Sequence, residues 1–292
     1  MSGLMKWYQT SKPAVLLIPA LLFLLLIVYS LVMAFAESIR SPEGWTWAYY
    51  GELFMQRRLI ESLGYSLSIT FVSVFLSVLI GWAVVRWFYS FIDEPGGKWL
   101  VWIPMLFPHF VWGYFVLLLL GQSGLISSFF YQAGWLSSRE AFPVLTQDAY
   151  GVGIIITYLW KEIPFVILML LPAYLQLPKQ YGEVIAVLGG GRKEWFKTVE
   201  WPWVQPVIVE ITLILTAFIF TAYEVPALLG ISYPQMTAVL AYDWFYGAAW
   251  EERSYAFGLL CLIAFILGAI ALLSFALMNR RRWLLSKSSH QY

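Results

Sequence analysis

The chain has 292 residues, of which 61% are hydrophobic and 12% charged, and its mean hydropathy is +0.72. A water-soluble domain is nearer half apolar and a quarter charged, so these proportions exclude an ordinary globular protein, and a disordered chain equally. Lys and Arg number 18 against 17 Asp and Glu, a net charge of +1 that is too balanced for a nucleic-acid-binding surface, and the single Cys261 allows neither an internal disulfide nor a cysteine metal cluster.

The composition points to an all-α polytopic membrane protein, and the charges punctuate its spans. About 20 apolar residues cross a bilayer, and a charge at its centre is costly. The first charge-free run gives a span over 13–36; it is too long for a signal peptide, and no small-residue cleavage site follows a short apolar core. A second span is expected over 62–87 and a third over 99–121, followed by a polar, Gly- and Ser-containing stretch from Gln122 to Tyr150. The fourth, 151–175, carries Lys161 and Glu162. The fifth, 202–224, encloses Glu210, and the sixth, 257–279, ends in three arginines. The whole chain thus reads as a single transmembrane domain of six helices.

With an even number of spans, both termini lie on one side. That side collects Lys6, Lys12, Arg86, Lys98, Lys179, Arg192, Lys193, Lys197, Arg280, Arg281, Arg282 and Lys287, against Arg40, Arg57, Arg58, Arg139 and Arg253 on the other. Cytoplasmic loops carry the excess of Lys and Arg, so both termini are expected in the cytoplasm. Tryptophans near the span ends, Trp99, Trp102, Trp201 and Trp203 among them, suit the membrane–water interface.

The cytoplasmic segment 177–201, with the sequence LPKQYGEVIAVLGGGRKEWFKTVEW, is too polar to be a span. Its apolar residues after Glu183, the run Gly189-Gly190-Gly191 and the amphipathic stretch from Arg192 predict a short helix, a glycine corner and a second short helix, with Pro202 opening the next span. Helix–corner–helix on the cytoplasmic face is a natural docking element for a partner.

This segment resembles the EAA loop of binding-protein-dependent type I ABC importer permeases, whose pattern is Glu-Ala-Ala, three residues, Gly, nine residues, then Ile-x-Leu-Pro. Glu183, Gly189 and Pro202 stand at the family's Glu, Gly and Pro, and Val199 stands in for Ile; Val184, Ile185 and Trp201 depart from the two Ala and the Leu. The resemblance implies the type I importer permease fold, six transmembrane helices with a cytoplasmic coupling helix. It implies a pair of ATP-binding cassette subunits inside, a second permease subunit, identical or homologous, and a solute-binding protein outside. Glu183 would contact the ATPase, Gly189 and Gly190 would permit the corner, and Arg192 and Lys193 would add charge contacts, although basic residues near a cytoplasmic bilayer surface are expected without a partner. ATP and Mg would be bound by the partner ATPases and no cofactor by this chain, which has no G-x-x-x-x-G-K-[ST] phosphate loop.

Ionisable residues within spans are functional candidates, because each needs a partner or a water path. His109 follows Pro108 in the third span, Lys161 and Glu162 precede Pro164 in the fourth, Glu210 lies in the fifth and Glu224 at its outer end. They either line a translocation path, with the prolines marking helix distortions, or hold helices together, for instance through Lys161 paired with Glu162 or Glu210. With His290 in the tail as the only other histidine, no H-E-x-x-H set exists, and enzymatic chemistry is not expected. The stretch Glu224-Val-Pro-Ala-Leu-Leu-Gly resembles the polyamine, phosphonate and ferric-ion branch of these permeases, which often carries Pro-x-Leu-Leu-Gly here. An ion-coupled secondary transporter and a non-transport scaffold remain the other readings.

Overall fold

Backbone polar groups in lipid must satisfy one another, so the charge-free apolar runs become helices. The computed structural model describes residues 2–178, 180–247 and 250–288. Lys179 and His290 lie outside the described residues, as do the side chains of Lys6, Lys12, Arg280, Arg281, Arg282 and Lys287. In chain order the elements are α1 (Ser2–Ser38), the strands β1 (Arg40–Ser41) and β2 (Gly44–Trp45), α2 (Ala48–Met55), α3 (Arg57–Asp93), α4 (Pro95–Met105), α5 (His109–Leu120) and α6 (Leu125–Gln132). A 3₁₀ turn (Arg139–Ala141) leads to α7 (Val152–Leu175), α8 (Gln180–Val187), α9 (Arg192–Trp195) and a π-helical turn (Phe196–Glu200). Then come α10 (Trp201–Thr221), α11 (Glu224–Leu229), α12 (Thr237–Tyr246) and α13 (Trp250–Ser288). The strands form one antiparallel pair, Arg40 opposite Trp45.

Among the described residues, six helical stretches are long and apolar enough to cross a membrane. Five overlap the expected spans, the second and fifth extending beyond them to Arg57–Asp93 and Arg192–Thr221. The third departs: the run expected as one helix over 99–121 is two, α4 and α5, and the long apolar stretch reads His109–Gln132. Pro108 is the reason. It has no N–H to continue α4, it disfavours helical geometry at Phe107, and its own extended ψ of 152° begins α5 afresh. Pro164 and Pro172, in contrast, sit inside an uninterrupted α7, so the helix distortion expected at Pro164 takes no break.

The chain divides into two compact units, 57–240 with 269–292, and 1–56 with 241–268. In the larger unit α7 is the central element, packed by α3, α4, α5, α10 and α11. Every fourth residue of α7, Ile154, Tyr158, Glu162, Val166, Leu170 and Tyr174, is buried, the i, i+4 stripe that a helix turns to its neighbours. Helix α3 buries small residues at similar spacing, Ser62, Ser66, Thr70, Ser73, Ser77 and Gly81. Helices in lipid associate through close packing, which small residues allow. At Gly81 an added Cβ would lie 2.7 Å from Val166, so glycine fixes the approach of α3 to α7. Ser66 Oγ accepts the Thr237 N–H at 2.8 Å and thereby ties the start of α12 to α3.

In the smaller unit the Tyr50 hydroxyl and Ser38 Oγ lie 2.8 Å apart, Ser254 Oγ donates to the Arg40 carbonyl at 3.1 Å, and the Tyr255 hydroxyl bonds the Glu52 carboxylate. Side chains 17–33 of α1 are all exposed in the isolated chain, as expected for a surface that lipid or another subunit covers.

Candidate coupling and translocation sites

Helix α8 ends in a Schellman turn. The Gly190 N–H donates to the Ile185 carbonyl at 2.8 Å and the Gly189 N–H to the Ala186 carbonyl at 3.1 Å, with Gly189 in the left-handed region at φ 78°. Glu194 then caps α9 by accepting the Gly191 N–H at 2.9 Å. The two short helices close on each other: the Trp195 ring lies over Gly182, and Ile185 lies against Gly190. What remains outward is an apolar face, Tyr181, Val184, Val187 and Leu188, with Val187 87% exposed. Glu183, Arg192 and Lys193 are exposed around it.

The second short helix is not separate from the fifth span. From Arg192 the chain is helical without interruption to Thr221. Pro202 therefore lies within a continuous rod, not at the start of a new one. The π-helical turn accommodates it: the Trp201 N–H reaches back five residues to the Phe196 carbonyl, and the widened turn precedes the proline ring that would otherwise crowd the backbone.

Deeper in the bundle, His109, Lys161 and Glu162 come together at the α4–α5 break. His109 Nε2 is 2.8 Å from Glu162 Oε1, whose side chain is 6% exposed. Lys161 Nζ donates to the Phe107 carbonyl at 2.6 Å and the Met105 carbonyl at 3.3 Å, groups that lose helical partners where Pro108 interrupts the chain. Lys161 thus caps the interrupted backbone, and Glu162 takes the histidine. The His109 ring also lies 4.8 Å from that of Phe218 on α10. Glu210 is half-buried on α10 and Glu224 exposed in the first turn of α11.

A second polar cluster joins the loop to the bundle and has no counterpart among the sequence candidates. Arg86, near the end of α3, grips Glu200 of the π-helical turn with two bonds, Nε–Oε1 at 2.8 Å and Nη2–Oε2 at 3.1 Å. The Tyr174 hydroxyl of α7 donates to Glu200 Oε1 at 2.8 Å and accepts from Trp82 Nε1 at 2.7 Å. Glu200 is 4% exposed, and the Arg86 guanidinium also lies over the Phe196 ring at 4.8 Å. In the sequence Arg86 reads as one more basic residue on the side of the termini, and Glu200, 114 residues away, falls in no motif. The one available signal is that Glu200 stands close to aromatic residues at the membrane boundary.

The described residues thus form an α-helical bundle with an interrupted helix at a polar cluster and a helix–corner–helix loop continued into a span. Its fold is that of a type I ABC importer permease. A bacterial transporter for import of the acidic polysaccharide alginate matches with a TM-score of 0.69 at 17% identity, over 94% of this chain and 99% of that one. The alginate transporter in complex with an alginate pentasaccharide-bound periplasmic protein matches with a TM-score of 0.67 at 18% identity, over 94% of this chain and 95% of that one. In sequence, the inner membrane ABC transporter permease protein YnjC of Escherichia coli (strain K12) is 25% identical over 279 residues, 90% of this chain and 50% of that protein. The thiamine transport system permease protein ThiP of Brucella abortus (strain 2308) is 28% identical over 156 residues, 51% of this chain and 27% of that one. The chain thus spans half or less of the length of the curated relatives it matches. No family model matches the chain.

Proposed function

We propose that this chain is the permease subunit of an ATP-driven importer, forming a solute path in the membrane and taking its energy from separate ATP-binding subunits. The observation that carries this reading is the loop: an exposed apolar helix, α8, folded by a glycine corner onto a helix that continues into a span. A partner gripping α8 would move α10 directly. The permease names of the sequence relatives support the same reading.

In this reading Glu183, Arg192 and Lys193 meet polar groups of the ATPase around an apolar contact made by Val184, Val187 and Leu188. Gly189 and Gly190 hold the corner, and Pro202 lies within the rod that carries displacement inward. ATP and Mg sit on the partner pair, a second permease subunit completes the path, and a solute-binding protein delivers solute on the outer face. Both termini lie in the cytoplasm of a prokaryotic cell whose plasma membrane holds the protein. His109, Lys161, Glu162, Glu210 and Glu224 are the candidates for the path. The solute is small and polar or charged, of the polyamine, phosphonate or ferric-ion class, a reading supported by the Pro226–Gly230 segment. A ThiP relative named for thiamine transport fits a small charged solute equally, whereas alginate, the polysaccharide whose import involves the fold neighbour, is a far larger one.

The test is purification of the tagged chain from native membranes in mild detergent, with mass spectrometry of the intact complex. An ATP-binding subunit should accompany the unmodified chain and be lost from the Glu183→Ala/Gly189→Pro double variant. A folded chain that emerges alone in both samples would favour an ion-coupled secondary transporter.

A further inference from the structure

Three elements meet on the Glu200 carboxylate, and each meeting uses a different atom or direction. Arg86 of α3 binds both carboxylate oxygens side by side, Tyr174 of α7 adds a bond to Oε1, and the carboxylate itself belongs to the turn between the loop and α10. Trp82, one helical turn before Arg86 on α3, closes the ring by donating to the Tyr174 hydroxyl, so α3 and α7 are also bound to each other. Close by, Trp203 Nε1 donates to the Ala173 carbonyl at 3.0 Å, a second tie between α10 and α7. A bidentate guanidinium–carboxylate pair fixes orientation as well as distance, which a single hydrogen bond or an apolar contact does not. Glu200 is only 4% exposed, so water has little access to its carboxylate, although the Arg86 side chain is 38% exposed.

The location gives this ring its meaning. Apolar packing alone would let the inner ends of α3 and α7 slide past a moving loop, because packing in lipid is non-directional. Glu200 lies in the π-helical turn, the one irregular turn between α9 and α10 and so the place where the rod would flex first. The ring braces that turn from two sides.

We infer that the Arg86–Glu200–Tyr174–Trp82 ring is the joint that makes the coupling loop and the inner ends of α3, α7 and α10 move as one body, with Arg86, Glu200 and Tyr174 as positioning residues. This rests on the importer reading, in which an ATPase displaces α8. Displacement of the loop is then delivered to three helices at once, α7 among them, and through Glu162 of α7 to His109 at the start of α5.

The test uses the native complex with its ATP-binding subunits, in a Cys261→Ser background carrying spin labels at Ala186→Cys on α8, outside the apolar face assigned to the ATPase, and Phe88→Cys on α3, both exposed positions. The distance between the labels is measured by pulsed electron resonance without nucleotide and with ATP trapped by vanadate. With the ring intact the distance should be the same in both states. In Glu200→Gln, and in the milder Tyr174→Phe, which keeps the ion pair and the ring's bulk, it should shift measurably on trapping as the loop moves without α3. Exchanging the charges, Arg86→Glu with Glu200→Arg, should restore constancy at least in part. A nucleotide-dependent distance in the unmodified complex, or a constant one in both Glu200→Gln and Tyr174→Phe, would overturn the joint while leaving the importer intact. A chain that recruits no ATP-hydrolysing subunit would instead overturn the importer reading and the joint with it.

Discussion

Gly189 adopts φ 78° with open space where a side chain would project, Gly190 has ordinary φ but an added Cβ would lie 2.6 Å from Ile185 and 3.2 Å from Glu194, and Gly191 would meet nothing nearer than Glu194 Oε2 at 3.6 Å. The three glycines are therefore needed for different reasons, one conformational, one steric and one hardly at all. Gly189→Ala should cost about 1 kcal/mol, the ordinary penalty for a left-handed alanine. Gly190→Ala should cost about 1–3 kcal/mol, because Ile185 and Glu194 must give way and with them the α8–α9 contact. Gly191→Ala should be nearly neutral. Thermal unfolding of the purified chain would give the order, and retention of the ATP-binding subunit should follow it; equal losses at 189 and 191 would show that the corner does not act through backbone geometry. Only the first of these roles is legible in the sequence, where a Gly at a fixed distance from Glu183 marks a turn. The steric role of Gly190 depends on how α9 folds back, which local pattern does not encode. The same holds for Lys161: an intramembrane lysine announces a partner, but that the partner is the pair of carbonyls at Met105 and Phe107 follows from the break at Pro108 and from tertiary placement.

At the scale of elements, five of six spans could be read from charge spacing because a single helix that crosses lipid must be free of unpaired charge along its length. The third could not, since composition does not distinguish one proline-bearing helix from two helices end to end. Pro108 and Pro164 look alike in sequence, yet one separates α4 from α5 and the other lies inside α7. Continuity of α9 with α10 was hidden for the opposite reason, because Pro202 signals a helix start and the π-helical turn that absorbs it leaves no sequence mark. The α3–α7 pair rests on Gly81, whose missing side chain lets Val166 and the Ile163 carbonyl approach; a Cβ would lie 2.7 Å from the first and 3.2 Å from the second. Gly81→Ala should destabilise the chain by about 1–3 kcal/mol, and because Val166 Cβ and Cγ1 both lie 2.7 Å from the added carbon, the two losses should be less than additive in the Gly81→Ala/Val166→Gly double variant. Thermal melting of the four proteins in one detergent closes the cycle. Additive losses in the double variant would mean that the two positions do not share a contact, and the close approach of α3 to α7 would have to be explained elsewhere.

For the molecule as a whole, the central question is which end of the bundle faces the cell interior. Helix α7 separates two exposed positions, Tyr150 just before it and Val187 beyond it on α8, 83% and 87% exposed. Its 24 residues span about 36 Å at 1.5 Å per residue, enough to cross the hydrocarbon core. The Arg86–Glu200 pair adds that the far end of α3 and the coupling loop are at the same end of the larger unit, in agreement with the side assigned to both from the count of basic residues. On that count the loop is expected inside, the side on which the proposed importer would need its ATP-binding subunits. In a Cys261→Ser background, a membrane-impermeant maleimide should therefore label Tyr150→Cys in intact spheroplasts and leave Val187→Cys unlabelled until the membrane is opened. Inverted vesicles should reverse the pattern, and purified ATP-binding subunits added to them should protect Val187→Cys, since its side chain lies on the apolar face that α8 presents to a partner. Labelling of Val187→Cys from the outside would put the loop on the wrong side for any ATP-driven reading, and the exposed face of α8 would then have to belong to a contact outside the cell.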